Sequence, residues 1–167
     1  VLGFASLIRD PSMTLEQLTT LYQKLLDDAA GLLKYDVFSI YSDKPPRHEA
    51  KCIEHVVFSD TLLLWADALP NPPDPDEFTH VSMFFECLGA LIATSLQTRM
   101  PLRIGVAYGE CCIDRERDIY LGVPIADAYE TEKAQEWIGG ACHVSCDNAP
   151  HFSDVILLGH VVKYEVP

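Results

Sequence analysis

The run LRIGVAYGECCIDRERDIYLGVPIADAYE, Leu102 to Glu130, decides the reading of this chain. Leu102 to Glu110 reads as a strand containing Gly105 and Gly109, and Cys111 to Asp118 leads into a charged turn. Ile119 to Leu121 is a short strand candidate. From Pro124 to Gln135 a helix is expected, with Ile125, Ala128 and Tyr129 on one face.

Upstream lies a long helix, from about Asp76 to Thr98, apolar nearly all round between Val81 and Leu96 and stopped by Pro101. Such a helix belongs in the centre of the packing. The four prolines of LPNPPDPD, Leu69 to Asp76, make a loop before it. Further back, Cys52–Phe58 and Thr61–Ala66 read as two strands joined by the two-residue turn Ser59-Asp60, a β-hairpin with a carboxylate at its tip. SDKPPRHEAK, Ser42 to Lys51, is a polar loop, and Tyr35 to Ser42 is extended or irregular. Leu15, Leu18, Tyr22, Leu25, Ala29 and Leu32 recur at helical spacing behind the capping-box pair Thr14 and Gln17, giving a helix over about 14–33. Val1 to Ile8 reads as a first strand. Downstream, Trp137–Ser145 and Val155–Val166 are strand candidates. The order β-α-β-β-α-β, followed by a further helix and strand, is that of an α+β, ferredoxin-like (βαββαβ) palm: a mainly antiparallel sheet flanked by helices.

The chain has 167 residues, enough for one domain, 1–167, that hides roughly 70% of its unfolded surface. It carries 25 acidic and 12 basic side chains, a net charge of −13, and no run of Lys or Arg. Nucleic-acid binding and contact with an anionic membrane both need clustered cations and are not expected. The most apolar stretch, Val81 to Leu96, contains Glu86 and falls short of a membrane span. The chain opens on Val1 with no signal-peptide pattern, so it reads as cytoplasmic and as part of a longer protein.

The six cysteines, Cys52, Cys87, Cys111, Cys112, Cys142 and Cys146, read as reduced thiols rather than a disulfide framework. A metal site at Cys142-His143-x-x-Cys146, with Cys111 or Cys112, is the alternative; it lacks zinc-finger spacing, and scattered buried thiols are the expectation. The acidic residues Glu130, Glu132 and Glu136, with Lys133, read as a solvated helix face. Trp137 reads as core or interface.

Three segments in order resemble the class III nucleotide (adenylate/guanylate) cyclase homology domain. Leu2-Gly3-Phe4-Ala5 opens the chain, FSDTLLLW forms the hairpin, and LRIGVAYGE precedes YLGVPIADAYE. The family pattern has Asp-Ile-x-Gly-Phe-Thr on the first strand, Gly-Asp-Gly or Gly-Asp-Ala in the hairpin, and LRIGIHxGE followed by YxGxxVNxAxR. The resemblance covers residues 1 to about 140. It implies a site where two carboxylates hold two Mg²⁺ or Mn²⁺ ions that bridge a nucleoside triphosphate and activate the ribose 3′-hydroxyl. Backbone N–H groups of a Gly-Phe turn approach the phosphates in that site.

By this resemblance Gly3, Phe4 and Ser59 would contact nucleotide and Asp60 would hold metal. A second metal-binding Asp would fall directly before Val1. The base-reading position falls on Val56, the ribose-orienting Asn on Ala126 and the transition-state Arg on Glu130; Gly122 keeps the family glycine. No catalytic residue is assigned. The expectation is a degenerate cyclase-like domain without turnover, serving as a nucleotide- and metal-binding, regulatory or dimerisation module, with itself or a partner domain. The alternative is a divergent active cyclase using Asp60 and an Asp before Val1, with charge from Arg103, Arg115 or Arg117. A third reading is a protein-interaction scaffold with no nucleotide.

Overall fold

The computed structural model describes residues 13–17, 19–21, 23, 24, 53–58, 61–66 and 77–163. Within it the architecture is α+β. Strands β1 (Glu54–Phe58) and β2 (Thr61–Trp65) pair antiparallel, from Glu54 opposite Trp65 to Phe58 opposite Thr61. That register confirms the hairpin. Its turn residues Ser59 and Asp60 lie outside the described residues, as do Gly3, Phe4 and the expected strand Val1–Ile8.

Helix α1 runs Glu77–Gln97, within a residue of its expected bounds. Its stop is built one turn before Pro101. Arg99 adopts φ 59°, and its N–H donates to the Leu96 carbonyl at 3.2 Å. The Met100 N–H reaches back to the Ser95 carbonyl at 2.8 Å, and Met100 itself is fully buried. This paired 6→1 and 5→2 closure is the Schellman arrangement, whose left-handed position favours glycine. Arg99→Gly is therefore expected to raise stability by about 1 kcal/mol, read as a shift in urea midpoint at unchanged slope.

Four strands follow: β3 (Arg103–Val106), β4 (Cys112–Asp114), β5 (Ile119–Leu121) and, after helix α2 (Val123–Ala134), β6 (Gly139–Cys142). β4 and β5 form a second antiparallel hairpin around the turn at residues 115–118. β3 and β6 pair parallel, Arg103 opposite Gly139 and Val106 opposite Cys142, with α2 as the crossover between them. The strand pairs are two antiparallel and one parallel, each a separate two-stranded sheet among the described residues.

The chain ends differently from expectation. Helix α3, Phe152–Leu157, takes the start of the region Val155–Val166 that reads as a strand, and of the candidate Trp137–Ser145 only Gly139–Cys142 is strand, a 3₁₀ turn, Val144–Asn148, following it. An apolar run of this length fits either element by pattern alone. Phe152 and Val155, three apart, are both buried, and Phe152 packs on Phe85 of α1 with ring centroids 5.8 Å apart. That one-sided burial selects the helix.

The core joins α1 to the hairpin and to β3. Ile53, Cys87, Leu91 and Leu102 are its buried members, with Leu62, Leu64, Phe84 and Ile104 packed against them. The capping box is formed as expected. The Thr14 N–H donates to Gln17 Oε1 at 2.9 Å and the Gln17 N–H to Thr14 Oγ1 at 3.2 Å. Residues 15–17, 19–21, 23 and 24 are helical behind it. Among the described residues, no helix is long and apolar enough to cross a membrane.

Candidate functional site

A mostly apolar groove of about 1180 Å³ lies between β2, one face of α1, β3 and the start of α2. Its walls exist because of two close approaches. A Cβ added at Gly105 on β3 would lie 1.8 Å from the Ala128 carbonyl oxygen of α2. No side chain fits there, so the helix rests directly on strand backbone. A Cβ at Gly122, the N-cap of α2, would lie 2.7 Å from Cys111 Cβ and 2.8 Å from its Cα. Gly122 thus brings the β5–α2 corner against the chain entering β4, and Pro124 starts the helix with its fixed φ.

The corner is apolar outside as well as in. Leu121, Val123 and Tyr129 are 65%, 72% and 60% exposed. Ala126 lines the groove. Glu130, one turn further, is exposed. On β1, Val56 is half-buried opposite Leu63.

The three arginines considered as sources of charge are all engaged. Arg103 Nε lies 2.8 Å from Glu132 Oε1, held by charge at that distance rather than by an aligned N–H···O bond. Arg103 Nη1 also donates to the Gln135 carbonyl at 2.8 Å, and Gln135 Nε2 donates to the Ile104 carbonyl at 2.8 Å. Arg115 pairs with Glu54 and stacks over Trp65 at 5.8 Å from the ring centre. Arg117 Nη1 lies 2.6 Å from Asp114 Oδ2. Trp65 and Tyr120 meet with centroids 6.0 Å apart, so the Glu54–Arg115 and Trp65–Tyr120 contacts tie the two hairpins together. Two expectations are corrected at this point. Glu132 is not a solvated face residue: it is drawn inward by Arg103, which the spacing of acidic residues gave no means of seeing. Of the two readings of Trp137, core or interface, its 48% exposure overturns the core one.

A polar cluster at the end of β6 was missed as a unit. His143 Nδ1 lies 3.0 Å from Ser145 Oγ and 3.4 Å from Asp127 Oδ2, and Ser145 Oγ accepts from the Tyr108 N–H at 3.0 Å. Serine, histidine and aspartate together suggest a nucleophile relay. A relay needs the serine and the carboxylate on opposite ring nitrogens. Here both address Nδ1, and His143 also accepts from the Ser145 N–H as a cap of the 3₁₀ turn. The cluster is therefore structural. Cys142 and Cys146 flank it, but no group of three or more His, Cys, Asp or Glu side chains that could hold a metal exists among the described residues.

No family model, curated protein or solved structure matches the chain.

Proposed function

We propose that this chain is a cyclase-homology module that has lost turnover and works by binding, as a regulatory or dimerising domain built on a ferredoxin-like palm. The observation that carries the reading is the first half of α2. Where the resemblance asks for an amide to hold a ribose, the groove wall has Ala126. Where it asks for a cation, an exposed Glu130 stands instead. A methyl group cannot hydrogen-bond a hydroxyl, and a carboxylate repels a polyphosphate. The arginines that would replace the lost cation are already paired with Glu132, Glu54 and Asp114. Nucleoside triphosphate with Mg²⁺ or Mn²⁺ at Asp60 and the Gly3-Phe4 turn remains part of the proposal as a bound ligand.

The occupant proposed for the exposed β5–α2 corner is a second copy of the chain. Leu121, Val123 and Tyr129 offer an apolar and aromatic patch beside the groove, the composition of an interface centre. The test has two arms. Incubation with ATP or GTP and Mn²⁺ is expected to yield no cyclic nucleotide, since losing one preorganised polar group already costs ~10²–10³ in rate. Cyclic nucleotide formed by the chain and abolished by Asp60→Ala would replace this reading with an active cyclase. Sedimentation is expected to show a dimer, weakened about tenfold or more by Val123→Asp. A monomer at high concentration, with and without nucleotide, would remove the dimerising role.

A further inference from the structure

We propose that Cys142 and Cys146 are a redox-active dithiol, converted to an intramolecular disulfide by a low-molecular-weight disulfide. The two residues lie beside one residue of β3, Val106. Cys142 is the last residue of β6 and the register partner of Val106 on β3. The next residue, His143, donates its N–H to the Val106 carbonyl at 2.7 Å. The chain then turns: the Cys146 N–H donates back to the His143 carbonyl at 3.0 Å. This brings Cys146 Sγ to 3.5 Å from the same Val106 oxygen. Both residues are thiols, and an interaction between their side chains sets their acidities apart.

The two thiols are not equivalent. Cys142 is half-buried and Cys146 only 2% exposed. The interaction with Cys146 holds Cys142 below the ordinary thiol range. The same interaction, together with burial, pushes Cys146 up. A thiol favouring thiolate on the less buried residue, beside one that keeps its proton, is the division between attacking and resolving cysteine. The His143 cap and the Ser145–Tyr108 bond fix the turn between them.

The exchange balances as follows. The Cys142 thiolate attacks one sulfur of the small disulfide, and one small thiolate leaves with the proton Cys142 gave up. Cys146 then loses its proton and attacks Cys142 Sγ, and the second small thiolate leaves with that proton. Two protein thiols are oxidised and one small disulfide is reduced to two thiols.

Trypsin gives a direct readout, because cleavage after Lys133 and Lys163 releases residues 134–163, whose only cysteines are Cys142 and Cys146. The full chain is treated with glutathione disulfide under native conditions, quenched in acid, alkylated and digested. The expected result is that peptide lighter by two hydrogens and refusing alkylation. Cys87, buried and pushed up to about 11 by desolvation, is expected to remain a thiol and serves as the control. Cys146→Ser is expected to stop at a glutathione adduct on Cys142. Because Cys146 is buried and its replacement can disturb folding, Cys142→Ser is run beside it with a thermal melt; it is expected to melt normally and to form neither disulfide nor adduct in this peptide. The proposal is overturned if both cysteines stay alkylatable after native oxidation, if the unsubstituted chain halts at the Cys142 adduct, or if the disulfide forms only in urea.

Discussion

Gly105→Ala is expected to destabilise the chain more than any other substitution of a single small residue. The added methyl group would sit 1.8 Å from the Ala128 oxygen, and 2.8 Å from both the Ala128 carbonyl carbon and the Glu132 nitrogen. All three are backbone atoms in the middle of α2, so no rotamer change relieves the clash. The helix must lift away from β3, and lifting it separates Arg103 from Glu132 and opens the groove wall at Ile125 and Ala126. Overpacking a good core costs ~1–3 kcal/mol where side chains can give. Here none can, so the loss is expected to be at least about 3 kcal/mol. Urea unfolding followed by circular dichroism measures it. A change below about 1 kcal/mol would mean that α2 does not rest on strand backbone at all. Gly140, on the neighbouring β6, has only side-chain neighbours at 3.7 Å or beyond apart from one strand oxygen at 3.9 Å, so Gly140→Ala is the mild comparison.

That contrast shows what sequence reading reaches. Where a period and a punctuation mark coincide, elements are legible. The capping box of Thr14 and Gln17, the hairpin flanking residues 59 and 60, α1 before Pro101, and α2 starting at Pro124 all follow from local chemistry. Long-range selection is not legible in the same way. Gly105 is visible as a glycine, but nothing nearby in sequence says that Ala128 is what approaches it. Val155 to Val166 suits a strand by composition, and only burial of Phe152 and Val155 on one side, with Phe152 against Phe85, makes its first residues a helix. Glu132 falls on a run of acidic residues that looks solvated until Arg103, 29 positions earlier by their numbers, proves to face it. At the candidate site the same limit holds. Ala126 and Glu130 are placed by motif, whereas the engagement of Arg103 and Arg115 is a tertiary fact, only Arg117 meeting a neighbour three residues away.

Arg103 is the second position where a large effect is expected. Its guanidinium joins three pieces of chain: β3 carries it, Glu132 of α2 faces Nε at 2.8 Å, and the Gln135 carbonyl at the helix end accepts from Nη1 at 2.8 Å. The side chains of Arg103 and Glu132 are only 18% and 22% exposed. Removing one member of a buried pair costs ~3–5 kcal/mol, because the other charge stays desolvated without compensation. With about a fifth of each side chain still in water, Arg103→Met is expected to lose about 2–3 kcal/mol, its apolar stem being kept. Adding Glu132→Met to it should recover part of that loss, since the double variant strands no charge, and the recovery in a double-mutant cycle measures the coupling. The remainder reports the Gln135 carbonyl, which only a cation or another donor at residue 103 can satisfy. Arg103→Lys separates the two contributions: an ammonium can hold Glu132 or the carbonyl but lacks the fork to hold both. An intermediate loss is expected for lysine. If Arg103→Met proves neutral, the charge of Arg103 is not committed to the α2–β3 contact. It would then be available to a ligand in the groove, and the active-cyclase reading would regain the cation that Glu130 denies it.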